Sequence, residues 1–131
     1  MKLLNRDVDY AARALVFMAR ADRPTVSVAQ MQASIGVTRP FLRKILQKLH
    51  TAGILQAIKG KGGGFALARR PETITLGTLV LVLQGELKLN NCVTKGQLCQ
   101  NHPTCKLHQR IAGLEERLLA DVQMITVRDL V

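Results

Sequence analysis

Tryptophan is absent from this chain, and aromatic residues of every kind make up only 3% of its 131 positions. That scarcity argues against the stacking platforms on which single strands and RNA loops are held. No run approaches the roughly 18 uninterrupted apolar residues of a membrane span. The stretch Met1-Lys2-Leu3-Leu4-Asn5-Arg6-Asp7 turns charged instead of entering a signal-peptide core, so a cytoplasmic location with no membrane partner is expected. Cysteine is missing outside the window 92–105, which holds three; an odd count fits a reducing compartment and argues against a disulfide framework. No nucleophile–base pair, phosphate-cradling strand–loop–helix or substrate-pocket motif is present, and the chain is not expected to be an enzyme. An iron-sulfur enzyme or electron carrier built on the same thiols stands as the alternative from another class.

What is present begins with hydrophobic residues, 47% of the chain, enough to bury a real core in one domain plus a small extension. The net charge is +10, and its distribution matters more than its size. Residues 1–70 carry thirteen Lys and Arg against three Asp and Glu, whereas residues 71–131 carry six of each sign. A basic half joined to a neutral half describes a polyanion-binding module with a non-binding appendage. With stacking platforms excluded, double-stranded DNA is the expected partner.

Periodicity places the elements. Val8, Ala11, Ala12, Leu15, Val16 and Ala19 recur at helical spacing, with Arg13 and Arg20 off the stripe. Arg23-Pro24-Thr25 breaks this helix, and Ser27 can cap a short second one through Val28, Met31 and Ala33 that stops near Gly36. Thr38 is the next cap, followed by Pro40 within the first turn and by Phe41, Leu42, Ile45, Leu46 and Leu49, the helix ending at Gly53. A short helix, a Gly-containing turn and a longer basic helix form the helix-turn-helix order, with Arg39, Arg43, Lys44, Gln47 and Lys48 on the polar side of the second member. Next, Ile54–Ile58 reads as a strand, Lys59-Gly60-Lys61-Gly62-Gly63-Gly64 as a basic turn and Phe65–Ala68 as the partner strand. This is the wing of a winged helix: Gly62, Gly63 and Gly64 let backbone approach a phosphate or groove, and Lys59 and Lys61 supply charge.

Pro71-Glu72-Thr73 leads into Thr75, a cap for an apolar helix through Leu76, Leu79, Val80, Val82 and Leu83 that ends at Gly85. From Leu89 to Pro103 periodicity vanishes, and this segment reads as a loop carrying the thiols. Leu107, Ile111, Leu114, Leu118, Val122 and Ile125 then repeat at steps of three and four, the seam of a helix pair. The same stripe would also serve to fold the helix onto its own core; the expectation is a homodimer through the helix from about Lys106 to Met124, which would give two winged modules a two-fold axis. Thr126-Val127-Arg128-Asp129 is a last, short capped element. The expected fold is therefore mainly α with a small β-hairpin wing, divided into a winged helix-turn-helix domain (1–85), a cysteine-bearing loop (86–105), and a dimerisation helix with a short C-terminal element (106–131).

Cys92, Cys99 and Cys105 are spaced C-x6-C-x5-C, with His108 following Cys105 after two intervening residues. Clustering in a polar loop argues against inert packing, and the choice is between an iron-sulfur cluster and zinc. Zinc sites usually bring C-x2-C knuckles, which this chain lacks, so the wide gaps favour the larger cluster, with a zinc-stabilised, constitutive DNA-binding protein as the alternative. His50 and His102 are expected to be solvated polar residues.

These motifs together resemble the Rrf-two group of bacterial winged-helix regulators, which includes nitric-oxide-sensing repressors and a regulator of iron-sulfur cluster assembly. The likeness rests on Val8-Asp9-Tyr10-Ala11-Ala12-Arg13-Ala14-Leu15, Phe41-Leu42-Arg43-Lys44-Ile45-Leu46, Lys59-Gly60-Lys61-Gly62-Gly63-Gly64-Phe65-Ala66-Leu67, Ile74-Thr75-Leu76-Gly77 and the three cysteines. It spans nearly the whole chain. The resemblance implies a homodimer on a partly palindromic operator, most often as a repressor, with Cys92, Cys99 and Cys105 holding a 2Fe-2S or 4Fe-4S cluster. For the fourth ligand it implies either His108, at the spacing of the assembly regulator, or Asp9 of the partner subunit's first helix, as in the nitric-oxide sensors. The first cysteine gap is six residues here, against five in the assembly regulator. The DNA-contacting positions expected are Ser27, Thr38, Arg39, Pro40, Phe41, Arg43, Lys44, Gln47, Lys48, Lys59, Lys61, Gly62, Gly63 and Gly64.

Overall fold

A computed structural model describes residues 2–90, 92–94 and 97–131. Helix α1 (Arg6–Arg20) starts where the Asn5 side chain accepts the Val8 amide at 2.9 Å. Asp7 and Asp9 lie in its first turn and Arg20 in its last, which suits the helix dipole, and Val8, Ala11, Ala14, Leu15 and Met18 are buried. Helix α2 (Val28–Ile35) opens on a capping box between Ser27 and Gln30, and closes on Gly36, whose φ of 78° belongs to the left-handed region. Only Met31 is buried in α2. Ala33, expected on the apolar side, is exposed, because two residues on from Met31 a helix has turned to its opposite face.

Helix α3 (Arg39–Thr51) buries Leu42, Ile45, Leu46 and Leu49 against α1. Thr38 occupies the cap position without a side-chain capping bond, and Pro40 sits in the first turn, where its missing N–H costs little. Strands β1 (Leu55–Ile58) and β2 (Gly64–Leu67) pair antiparallel, Leu55 opposite Leu67 and Ile58 opposite Gly64. The hairpin is tied down by a third segment. Val26 and Phe65 exchange both backbone hydrogen bonds at 2.9 Å, so the residue before the α2 cap works as a short third strand.

A single 3-10 turn (Pro71–Thr73) leads to α4 (Leu76–Leu83), where the Thr75 hydroxyl accepts the Thr78 amide at 3.1 Å. Gly77, Leu79, Val80 and Leu83 are buried. The expectation of a segment without regular structure from Leu89 to Pro103 needs correction: β3 (Val93–Thr94) and β4 (Gln97–Leu98) form a two-residue antiparallel ladder. Strands this short leave no alternation to detect. Asn91, Lys95 and Gly96 of the expected loop lie outside the described residues.

Helix α5 (Lys106–Met124) has the expected bounds. Its stripe divides: Leu107 and Leu114 are 64% and 44% exposed, whereas Val122 is buried and Leu118 packs on the core. The C-terminal half belongs to the domain's own core, and the N-terminal half presents apolar side chains outward. Past α5 the chain returns to the core, with the Leu76 amide bonded to the Ile125 carbonyl and the Val127 amide to the Ile74 carbonyl, both at 2.8 Å. Helix α6 (Val127–Leu130), capped by a Thr126–Asp129 box, buries Val127 beside α1. Thr75 also donates to Gln123 of α5 at 2.7 Å, and the Gln123 side chain fills the space a Cβ at Gly77 would need.

Candidate nucleic-acid interface and metal centre

The exposed face of α3 and the hairpin enclose a groove. Pro40, Arg43, Lys44 and Gln47 line it from α3, and Ala57, Ile58, Gly64 and Phe65 from the wing. A neighbouring recess brings Ser27, Arg39 and Arg43 together with Gly60, Gly63 and Gly64. Lys59 and Lys61 are exposed on the hairpin turn. Among the described residues no charged side chain is buried, so the charge excess of residues 1–70 lies at the surface.

Three expected positions stand apart from this groove. Lys48 extends toward α1, its ammonium 3.4 Å from Asp7. Phe41 is half-buried, edge-on to Tyr10 with ring centroids 5.6 Å apart, and the Arg6 guanidinium lies 4.9 Å from its centroid. Phe41 thus seats α3 on α1. Thr38 is exposed at the α2–α3 turn, in a recess with Gly36 and Val37. Conversely, Arg23 and Gln30 line a cleft with Ser27, Gly62 and Gly63. Sequence reasoning missed both, although a basic residue shortly before a capping box was a usable signal.

At the far end of the fold the thiols gather at the start of α5. All three cysteines are free and half-buried. The Cys105 sulfur serves as N-cap, accepting the His108 amide at 3.4 Å. The Cys92 sulfur lies 3.2 Å from His108 Nδ1. The Cys99 amide donates to the Cys92 carbonyl at 2.7 Å, and the His102 amide to the Cys99 carbonyl at 3.0 Å. Those turns place the His102 ring 4.1 Å from that of His108. Far from standing alone in solvent, His102 therefore joins Cys92 and His108, the three offering ligand atoms all within 4.8 Å of one another. Sulfur and imidazole donors so grouped fit a thiophilic metal group. His50 instead lies 3.1 Å from the Leu55 carbonyl through its Nδ1, a structural contact. Asp9 is paired with Arg13 of the same helix at 3.2 Å and is half exposed.

Glu115 of α5 fastens the approach to this cluster by accepting the Leu89 amide at 2.7 Å. Nearby, the hydrogen bond to Glu86 raises the Lys88 ammonium above the ordinary lysine value. Glu115→Ala is expected to remove a charge-assisted bond contributing about 1.5–3 kcal/mol locally. The Leu89 amide should then exchange faster with solvent by roughly ten- to a hundredfold, while α3 amides keep their protection. Unchanged exchange at Leu89 would deny Glu115 this fastening role.

A three-helix reader with a β-hairpin beside its recognition helix defines a winged helix-turn-helix protein. The family described as Rrf2, iron-dependent transcriptional regulator, matches residues 4–131. The chain belongs to that family, and it is a DNA-binding transcriptional regulator, not an enzyme. Among solved structures it is similar to CymR (YrzC), the global cysteine regulator of B. subtilis, with a TM-score of 0.77, 20% identity and coverage of 99% of this chain and 96% of that one. It is similar to T. potens IscR with a TM-score of 0.77 and 22% identity, over 99% and 85% of the two chains. The oxidized form of Staphylococcus aureus CymR matches with a TM-score of 0.77 and 15% identity, over 99% and 95%. At these identities the likeness concerns the fold. No helix among the described residues is long and apolar enough to cross a membrane.

Proposed function

We propose that this chain is a homodimeric regulator, most simply a repressor, whose affinity for a partly palindromic operator is set by an iron-sulfur cluster held by Cys92, Cys99, Cys105 and His108. The observation that carries the proposal is the 3.2 Å approach of the Cys92 sulfur to His108 Nδ1, beside a Cys105 that caps α5. His108 is preferred to the partner subunit's Asp9 as fourth ligand, because Asp9 is engaged by Arg13 and His108 stands within the thiol group. An iron-sulfur cluster supplies, when bound, a metal group reactive toward oxygen and nitric oxide. The chain's own part is mechanical. Cys105 and His108 fix the first turn of α5, and Gln123 fixes its last turn to Thr75, so a change of thiol positions is felt at α4 and the reader.

At the operator, Arg39, Arg43, Lys44 and Gln47 face the major groove, and the wing, with Lys59, Lys61, Gly62, Gly63 and Gly64, reaches the flanking backbone or minor groove. Ser27 and Pro40 border the same surface, while Thr38 lies at the adjoining turn. Phe41 and Lys48 act through the packing of α3 on α1. Leu107, Ile111 and Leu114 form the dimer seam at the coiled-coil spacing, Leu107 and Leu114 exposed and Ile111 half-buried between them. The units 1–85 and 86–105 are then reader and metal loop, and within 106–131 the N-terminal half of α5 is the dimer element while its C-terminal half and α6 complete the reader's core.

The test is anaerobic purification followed by metal and sulfide analysis and absorption spectroscopy, then DNA binding to fragments selected from a random pool. Brown protein containing iron and sulfide is expected, with operator affinity changing about 5–150-fold on cluster loss. A colourless protein with one zinc per chain would overturn the iron-sulfur reading. Identical affinity with and without the cluster would overturn its control of DNA binding.

A further inference from the structure

We propose that Cys92, His102 and His108 form a site for a single divalent metal ion of the zinc class, which the chain binds when it carries no cluster. The inference shares with the proposed function the reading that the thiol loop is a metal centre. It differs in its donors, using His102 and dispensing with Cys99 and Cys105.

Five observations support it. The three donor atoms lie within 4.8 Å of one another, a spread suited to one ion, whereas a cluster disperses its ligands around several irons and sulfides. Bonds of about 2.3 Å to sulfur and about 2.0–2.1 Å to nitrogen at a tetrahedral angle set a sulfur–nitrogen separation of roughly 3.5 Å. The 3.2 Å between the Cys92 sulfur and His108 Nδ1 needs only a small adjustment to match. His102 is brought there by backbone and not by chance rotation: its amide closes a turn on the Cys99 carbonyl, and the Cys99 amide is bonded to the Cys92 carbonyl. Cys105 stands outside the grouped donors, its sulfur lying at the start of α5, where it accepts the His108 amide. All three ligand residues are half-buried, shielded enough to hold an ion yet open enough to admit one.

Two imidazoles and one thiolate give a borderline donor set, favouring zinc, or cobalt as its spectroscopic substitute, over magnesium or calcium. Three protein ligands leave the fourth tetrahedral position free for an exchangeable ligand. Binding displaces a proton from the Cys92 thiol if it is protonated, and the Cys92–His108 hydrogen bond gives way to two metal bonds. Loss of the cluster would thus leave a zinc-ready protein, a distinct third state in which α5 is still fastened to Cys92 through His108.

The test uses the full chain, reduced and stripped of metal, titrated anaerobically with cobalt(II) and then with zinc. One cobalt per chain is expected, with the intense visible bands of tetrahedral coordination and a thiolate-to-metal absorption in the near ultraviolet, both erased by stoichiometric zinc. His102→Ala and the more conservative His102→Asn should each weaken cobalt binding at least tenfold, and Cys92→Ser should remove the thiolate absorption. Cys99→Ser should keep both spectrum and affinity. Wild-type cobalt binding in both His102 variants, or loss of binding in Cys99→Ser equal to that in the His102 variants, would overturn the site. Its failure is separable from that of the proposed function: brown, iron- and sulfide-loaded protein that takes up no cobalt when stripped sinks this inference alone. Protein purified without iron or sulfide that still shows His102-dependent cobalt binding sinks the cluster alone.

Discussion

Arg43→Ala is expected to lower operator affinity by about 2–6 kcal/mol in the proposed dimer, since a bidentate base contact contributes about 1–3 kcal/mol of discrimination and two protomers would each make one. Arg43 is a charged side chain that lines both the α3–wing groove and the recess reaching Ser27 and the wing glycines. A guanidinium there has the planar fork that reads a guanine edge. Lys61→Ala should behave differently. Under the proposed function this exposed wing-turn residue meets phosphate, so its loss should weaken cognate and random DNA alike and flatten the salt dependence by about one ion per site. Fluorescence anisotropy on selected and scrambled duplexes, across a salt series, separates the two. Equal losses on both duplexes for Arg43→Ala would remove it from base reading.

Gly64→Ala should destabilise the fold by about 3 kcal/mol, from roughly 1 kcal/mol for each of two weakened hydrogen bonds and the rest from backbone strain. A Cβ at Gly64 would collide with the Val26 carbonyl oxygen and lie 2.7 Å from the Val26 carbonyl carbon, at the point where Val26 and Phe65 exchange hydrogen bonds. The residue cannot yield locally, since the obstacle is backbone. Gly60→Ala is the control: its φ of 93° is also positive, but nothing lies within 4 Å of an added Cβ, so about 1–2 kcal/mol of conformational strain is all it should lose. Thermal denaturation should show a fall of about 10 °C for Gly64→Ala and roughly one to two thirds of that for Gly60→Ala. Equal shifts would mean that the Val26–Phe65 bridge contributes little.

Much of the reader was legible because its signals are local. Ser27 with Gln30, Thr75 ahead of Thr78, and the glycines after α2 and α3 are short-range capping chemistry, and each marks its boundary in the fold. Residues whose place depends on tertiary packing were harder. Lys48 looks identical to Lys44 in a list of polar α3 positions, yet Asp7, forty-one residues earlier, draws it away from the groove. Phe41 was grouped with the DNA face, and its T-shaped contact to Tyr10 is invisible without α1 in place. In the thiol loop the spacing drew attention to Cys99 and Cys105, whereas the β3–β4 pairing and the turn after it bring in His102, which carries no spacing signature relative to Cys92. The division of the α5 stripe followed the same logic, since period alone cannot say where a helix leaves its own core.

The bond pair joining Ile74, Leu76, Ile125 and Val127 anchors the far end of α5 to the start of α4. Nineteen residues at about 1.5 Å each make α5 a rod roughly 28 Å long. With one end pinned and the thiols at the other, it is a lever whose fulcrum lies in the winged domain. A displacement of about 2 Å at the cysteine end swings such a rod through only about 4°, about its pivot beside α4. Leverage of this kind converts motion into torque. Under the proposed function, stiffness at Thr75–Gln123, more than the size of any movement among the thiols, decides how much of a metal-driven change would reach the recognition helix.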